Sequence, residues 1–342
     1  MNKLVGNREV AETLRRFLAT GRVPNALLFT GAEGVGKKQF AIELARRLLC
    51  TSPNGSDACG ECAVCKRAGE FSVPTFEKGE ESDYVFFSQH PDVGIIVPFR
   101  RNLRIGAVRA LDREAHFRPY EAAARIFIVD DADKMNDAAS NALLKTLEEP
   151  PSTSHIILIA ARADTLLPTI RSRCQTIRFA PVAFDEIEKH LIDTYDFSPE
   201  DAALAARVSG GSVGRAIDIV PASFRTQRSA MLGVVKAAAA DNKRELLAAS
   251  EEMADAKNKD EYEEKLGILQ SLIHDVWVLV TRADVEILNS EIEPELVQLS
   301  RQVTSPILAR WLDEIEAMSE NFIVNINRKV ATDSLFVEMA AR

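Results

Sequence analysis

Aromatic residues make up only 6% of this 342-residue chain, and tryptophan occurs just twice. That scarcity argues against a β-sandwich and favours helix-rich packing by Leu, Ala, Ile and Val. An excess of positive charge is also missing, since 42 Lys and Arg face 51 Asp and Glu for a net charge of -9. Phosphate backbones are gripped by basic patches, so nucleic-acid binding by this chain acting alone is not expected. No apolar run reaches the length of a membrane span. The opening MNKLVGNREVAETLRRFL lacks the charged and apolar regions of a signal peptide. A cytoplasmic protein with reduced thiols and no membrane partner is expected, which makes its five cysteines metal ligands or buried thiols rather than disulfides.

What is present is enough chain for two or three domains. VGNREVAETLRRFLAT (5 to 20) reads as an amphipathic helix through Val10, Leu14, Phe17 and Leu18. ALLFTG (26 to 31) is a short strand, and KKQFAIELARRLLC (37 to 50) resumes helical spacing. Residues 51 to 70 are rich in Gly and Cys, and 71 to 90 read as an acidic excursion, with order returning at HPDVGIIVP (90 to 98). IGAVRALDREAHF (105 to 117) is helical in pattern. RIFIVDDAD (125 to 133) is a buried strand ending in acids. NDAASNALLKTLEEPP (136 to 151) is a helix with Asn136 or Asp137 as N-cap. HIILIAA (155 to 161) and QTIRFAP (175 to 181) complete a set of strands alternating with helices, the pattern of a parallel sheet covered on both faces. Beyond Pro181 only helices follow. Gly210 and Gly211 separate two of them, and Leu266, Leu269, Ile273, Val276 and Val280 form a stripe suited to packing on another helix.

GAEGVGKK (31 to 38) nearly fits the phosphate-binding pattern G-x-x-x-x-G-K-[S/T]. Gly31, Gly36 and Lys37 fill it, with Gly34 between, but Lys38 stands where a hydroxyl meets magnesium. The alternative to a nucleotide site is a tight turn capping a helix, open to any small anion.

Cys50, Cys59, Cys62 and Cys65 give C-x8-C-x2-C-x2-C, which suits four thiolates around one tetrahedral Zn²⁺. Arg46, Arg47, Lys66 and Arg67 lie close in sequence and are expected to offset its negative charge. Nothing in the spacing leaves an open coordination position, so the zinc is read as structural; unligated thiols are the alternative. Cys174 reads as a buried thiol.

IFIVDDADKMNDAASNALLKTLEEPPSTSHIILIAA and LPTIRSRCQTIRF closely resemble the bacterial clamp-loader subunits of the AAA+ superfamily, which serve DNA polymerase III. The Cys quartet, GGSVGRA (210 to 216) and NINRKVATDSLFVEMA (325 to 340) extend the resemblance over nearly the whole chain. It implies an α/β AAA+ domain with a zinc insertion (1 to 163), a small helical lid (164 to 221) and an all-α collar (222 to 342) that joins subunits into a ring. It also implies partners: gamma/tau-type and delta-type subunits, and through the assembly the sliding clamp and primed DNA.

Within this family a motor subunit needs several groups that are altered here. Asp130 remains as a carboxylate able to serve a metal, but Asp131 replaces the water-polarising Glu and is one methylene, about 1 Å, shorter. Ala161 or Arg162 stands where motors have a small polar residue. Gly214 replaces the lid Arg, and Arg215 lies one step on, turned by about 100° around a helix. The resemblance therefore implies a subunit that is no ATPase by itself, with ATP and Mg²⁺ left open at its own site, inside a DNA polymerase holoenzyme. Arg173 of SRC is expected to act in trans, reaching the ATP of a neighbouring subunit as an arginine finger. A motor subunit of the same machine, and a freestanding zinc-containing nucleotide-binding regulator, are the competing readings. Arg100, Arg101, Arg104 and Arg109 make a basic stretch suited to DNA, to an acidic partner, or simply to solvent.

Overall fold

The computed structural model describes residues 4–73, 83–99, 102–254, 259–321 and 327–340. The chain divides into two compact units, 1–218 and 219–342.

The first unit opens with α1 (Arg8–Thr20), β1 (Ala26–Thr30), α2 (Lys37–Leu49) and α3 (Ala63–Ala68). It continues through β2 (Phe86–Phe87), β3 (Val93–Ile96), α4 (Ile105–Ala115), β4 (Arg125–Val129), α5 (Asp137–Glu148) and β5 (Ser154–Ala160). Next come α6 (Pro168–Arg171) and β6 (Gln175–Arg178), and then three helices, α7 (Phe184–Tyr195), α8 (Pro199–Val208) and α9 (Val213–Asp218). The strands form one sheet in the order β2-β3-β4-β5-β1-β6. Every pairing is parallel except the antiparallel edge pair β2–β3.

Side-chain alternation assigns the two faces. Leu27, Phe29, Ile126, Ile128, Ile157 and Ile159 point into one core with Leu14 of α1 and Phe40 and Leu44 of α2. Leu28, Phe127, Val129, Ile156 and Leu158 point into the other, with Leu111 of α4, Leu143 and Leu147 of α5, and Ile170 of α6. Burial on both faces is why these strands read as unbroken apolar runs. The sheet is the mostly parallel α/β architecture, covered on both faces, that the alternation of strands and helices implies.

Three details depart from the sequence reading. β6 pairs with β1 through Leu27–Thr30, so the sheet runs past the boundary expected at 163. β2 starts at Phe86, inside the stretch read as an excursion, because Phe86 and Phe87 offer a short apolar pair to the free edge of β3; residues 74–82 of that stretch lie outside the described residues. α3 forms within the Cys-rich segment. The α5 cap resolves in favour of Asn136, whose Oδ1 accepts the Ala139 N–H at 2.9 Å.

Among the described residues the regular structure of the second unit is all helical: α10 (Pro221–Ala239), α11 (Lys243–Ala254), α12 (Lys259–Thr281), α13 (Glu293–Ser300), α14 (Ser305–Asn321) and α15 (Arg328–Ala340). The apolar stripe of α12 buries Leu266, Leu269, Ile273 and Val276, and α12 packs on α10, α13 and α14. Two of the unit's buried polar side chains bond to backbone groups. Trp311 Nε1 donates to the Met339 carbonyl at 2.8 Å, and Asp275 accepts the Leu288 and Asn289 N–H groups at 2.9 and 2.8 Å. Asn327 caps α15, its Oδ1 taking the Val330 N–H at 3.4 Å.

Candidate functional site

β1 ends at Thr30, and the chain turns through residues 31–36 before α2 begins at Lys37. The turn requires glycine. Gly31, Gly34 and Gly36 have φ of 147°, 74° and 98°, values an L side chain rarely adopts. A Cβ on Gly34 would also lie 2.0 Å from Ser212 Oγ, and one on Gly31 2.5 Å from the Phe179 carbonyl.

The Lys37 side chain folds back into this turn. Its Nζ donates to the Gly31 and Ala32 carbonyls at 2.5 and 2.6 Å, and the residue is only 6% exposed. Burial lowers its pKa against the opposing pull of Asp133, Glu33, Asp131 and Asp130. Lys38 points to the acids at the end of β4, where its Nζ lies 3.0 Å from Asp130 Oδ2. Asp131, in the left-handed region at φ 48°, is held by Lys134 Nζ at 2.7 Å. Each of the two acids therefore carries an ammonium group.

Magnesium asks for near-octahedral oxygen ligands at about 2.0–2.1 Å. No Ser or Thr hydroxyl stands at position 38, and the carboxylate next in line is already in contact with a cation. The donor set does not fit the metal.

Helix α9 sits directly on the loop. The Gly214 N–H donates to the Gly34 carbonyl at 2.9 Å. A Cβ on Gly214 would come within 3.3 Å of Gly34 Cα, so glycine permits this backbone approach. Arg215, although one step beyond the usual lid position, still lines the cleft between loop and helices. That cleft has a volume of about 1080 Å³, and Leu4, Lys37, Asp130, His190 and Tyr195 are among its other walls. Ala161 and Arg162, at the end of β5, are held through their N–H groups, which donate at 3.3 Å to the two carboxylate oxygens of Asp133.

Arg173 follows α6 and is one-third exposed, paired through Nη2 with Glu148 Oε1 at 2.6 Å. Its Nη1 donates to the Thr169 carbonyl at 2.9 Å. Glu148 belongs to LEEPP, so the two quoted family segments meet at this ion pair. Of the basic stretch, Arg104 stacks on the Phe99 ring at 5.0 Å, whereas Arg100 and Arg101 lie outside the described residues.

The four cysteines converge. Their Sγ atoms lie within 4.8 Å of one another. The Cys50–Cys59, Cys59–Cys65 and Cys50–Cys62 separations are 3.5, 3.8 and 4.0 Å. A tetrahedron with Zn–S bonds of about 2.3 Å has edges of about 3.8 Å, so the set fits a closed four-thiolate metal site. Backbone N–H groups of Cys59, Cys62 and Cys65 point at the preceding sulfurs at 3.3 to 3.5 Å. Those from Cys62 and Glu61 lead in bringing the Cys59 thiol down to about 6, while burial raises Cys65. Three of the neighbouring cations have other partners: Arg46 meets Glu43 at 3.5 Å, Arg67 meets Glu121 at 2.6 Å, and Arg47 donates to the Gly55 carbonyl at 2.8 Å. Cys174 is buried, and desolvation pushes its thiol up to about 12.

Residues 6–183 match the family model for the DNA polymerase III delta subunit. The chain belongs to the DNA polymerase III delta-subunit family. Over 219 residues it is 32% identical to the DNA polymerase III subunit delta' of Bacillus subtilis (strain 168), covering 64% of this chain and 60% of the relative. Over 198 residues it is 34% identical to the delta' subunit of Escherichia coli (strain K12), covering 58% and 54%. The tau subunit of B. subtilis is 27% identical over 214 residues, covering 62% of this chain and 35% of tau. The chain thus spans less than two-thirds of the length of the delta' relatives it matches. The part matched to the DNA polymerase III delta-subunit family contains the loop, both acids, the cysteines and Arg173, and it stops just before α7.

A buried ionic cluster was not foreseen. Asp92, His90 and Arg125 are all fully buried. Asp92 accepts N–H bonds from Tyr120, Glu121 and Ala122 at 2.7, 2.9 and 3.0 Å and lies 3.6 Å from Arg125 Nε. Arg125 also reaches Glu114 Oε2 at 3.1 Å and the Glu114 carbonyl at 2.6 Å. Asp92 and Arg125 are 33 positions apart and meet only because β3 and β4 pair, which no local pattern announces. Among the described residues, no helix is long and apolar enough to cross a membrane.

Proposed function

We propose that this chain is a non-catalytic subunit of the DNA polymerase III clamp loader, silent at its own phosphate loop and active on that of its neighbour. In this reading the α/β sheet is the AAA+ body, α7 to α9 are the lid, and the helices after residue 219 form the collar that binds gamma/tau-type and delta-type subunits. The sliding clamp and primed DNA are met through the assembly.

The observation that carries the reading is the pairing of Asp130 with Lys38 and Asp131 with Lys134. Hydrolysis in a phosphate-loop site needs a carboxylate for the metal and another to orient water. Here an ammonium group holds each. Gly214 in place of a lid arginine agrees with the same conclusion, because its backbone contact with Gly34 leaves little room for a side chain.

Arg173 is the residue assigned to chemistry. Leaving Glu148, its guanidinium would reach the γ-phosphate of ATP bound by the adjoining subunit and stabilise the charge that develops in phosphoryl transfer. Zinc, held by Cys50, Cys59, Cys62 and Cys65, would order residues 50 to 68 and supply no chemistry of its own, since four thiolates leave no open position.

Purified chain supplied with MgATP should show no hydrolysis above background, and a reconstituted loader should require it for full ATPase activity. Turnover by the chain alone would instead establish the motor reading.

A further inference from the structure

The phosphate loop is built to take an anion, but not the usual metal complex of one. Lys37 is an ammonium group 6% exposed whose partners are two carbonyl oxygens. Among the described residues no carboxylate is ion-paired with it, and one of its three N–H bonds is left over for a ligand. It lines a cleft of about 1080 Å³ that also contains Lys38 and Arg215, a size that accommodates a nucleotide. Asp133, Glu33, Asp131 and Asp130 attract Lys37 only from beyond ion-pair distance, so an entering phosphate would be the first anion bonded to it directly.

A nucleoside polyphosphate normally enters such a loop with Mg²⁺ neutralising part of its charge. Lys38 Nζ already occupies the neighbourhood of Asp130 Oδ2 at 3.0 Å, where that metal would be held. Two cations cannot share this position without strong repulsion. The lysine supplies one fixed positive charge there, anchored by Asp130 and lying one residue after Lys37.

We infer that this site binds nucleoside di- or triphosphate free of magnesium, with the Lys38 ammonium serving as a built-in counter-ion in place of the metal. The polyphosphate would lie against the 31–36 turn, where Lys37 turns its remaining N–H to it. The nucleoside would lie against the apolar part of the lining, which includes Leu4, Val5, Ile217 and Tyr195. The inference deepens the non-catalytic reading and rests on it, because a site that never holds the metal cannot hydrolyse by the motor route.

The test is calorimetric titration of the full chain with ADP and with ATP, once in excess Mg²⁺ and once in EDTA. Affinity in EDTA is expected to equal or exceed that in Mg²⁺. Lys38→Thr should weaken binding in EDTA by about tenfold, or ~1.4 kcal/mol, and should make added Mg²⁺ strengthen it. Circular dichroism of the variant would establish that it is folded. Wild-type binding that requires Mg²⁺, or no binding under either condition, would overturn the inference. Pyrophosphate binding as tightly as ADP would overturn its nucleoside part. Phosphate release measured in the same samples reports separately on the non-catalytic reading, which survives any of these binding results if no hydrolysis is seen.

Discussion

Arg173, in the turn that joins α6 to β6, and Glu148, the last residue of α5, form an ion pair at 2.6 Å. Both side chains are partly exposed, so the pair is a weak tether, worth at most about 1 kcal/mol. It holds the guanidinium in one place without locking it there.

Replacing Arg173 with Ala in a reconstituted loader should reduce ATPase activity by at least about a hundredfold, in the range of arginine fingers supplied in trans. Assembly, read by size-exclusion chromatography, should persist. Glu148→Gln should act in the opposite direction and mildly, raising turnover by no more than about fivefold, the equivalent of the tether. Unchanged turnover in the Arg173 variant would remove the finger from the account.

Lys38→Thr restores the hydroxyl of the phosphate-loop pattern but leaves Asp131 short and Gly214 in place. Phosphate release by this variant should therefore stay at background with MgATP. Measurable turnover would show that Lys38 alone silences the site.

Elemental analysis should find about one zinc per chain, as a closed four-thiolate site implies. Removing it with a chelator should make the 50 to 68 segment protease-sensitive while the α/β sheet, buried on both faces by apolar packing, keeps its circular dichroism. Less than half an equivalent of metal would count against the site.

Asp92→Ala should destabilise the first unit by about 3–5 kcal/mol, because it leaves the buried Arg125 guanidinium short of a counter-charge and three N–H groups without their acceptor. Urea unfolding of the full chain would measure it. A loss below 1 kcal/mol would mean that Glu114 alone satisfies Arg125.

His90 supplies a pH dependence. Burial is the leading cause that lowers its pKa, with Asp92 pulling the other way. The unfolded chain takes up a proton near pH 6.5 while the folded chain resists it. Stability from this group is thus fully present above about pH 6.5 and is lost as pH falls through the lower folded value. The difference in melting temperature between pH 7.5 and 5.5 should shrink in His90→Asn; an equal difference would assign the effect to other groups.

Much of this was legible in the residues. The strands β1, β4 and β5 are runs of apolar residues with turn signals at their ends, and their chemistry of burial is local. The four cysteines declare a tetrahedral site by spacing. The position of β6 in the sheet was harder to assign to a domain, since QTIR has only one buried residue and its place comes from pairing with β1. β2 is two residues long and depends wholly on the edge of β3.

Along the chain, the sequence by itself determined an α/β body followed by helices, a phosphate-loop turn lacking its hydroxyl, a cysteine quartet and the arginine of SRC. These follow from periodicity, from the backbone freedom of glycine and from ligand spacing, all properties of neighbours in the chain. Only the tertiary structure decided what each charge meets. Lys38 lies 92 positions from Asp130, Arg173 lies 25 from Glu148, and Gly34 lies 180 from Gly214. Packing of the sheet and its helices brings those pairs together. Electrostatic partners are chosen by distance in space, and a one-dimensional pattern carries no record of it.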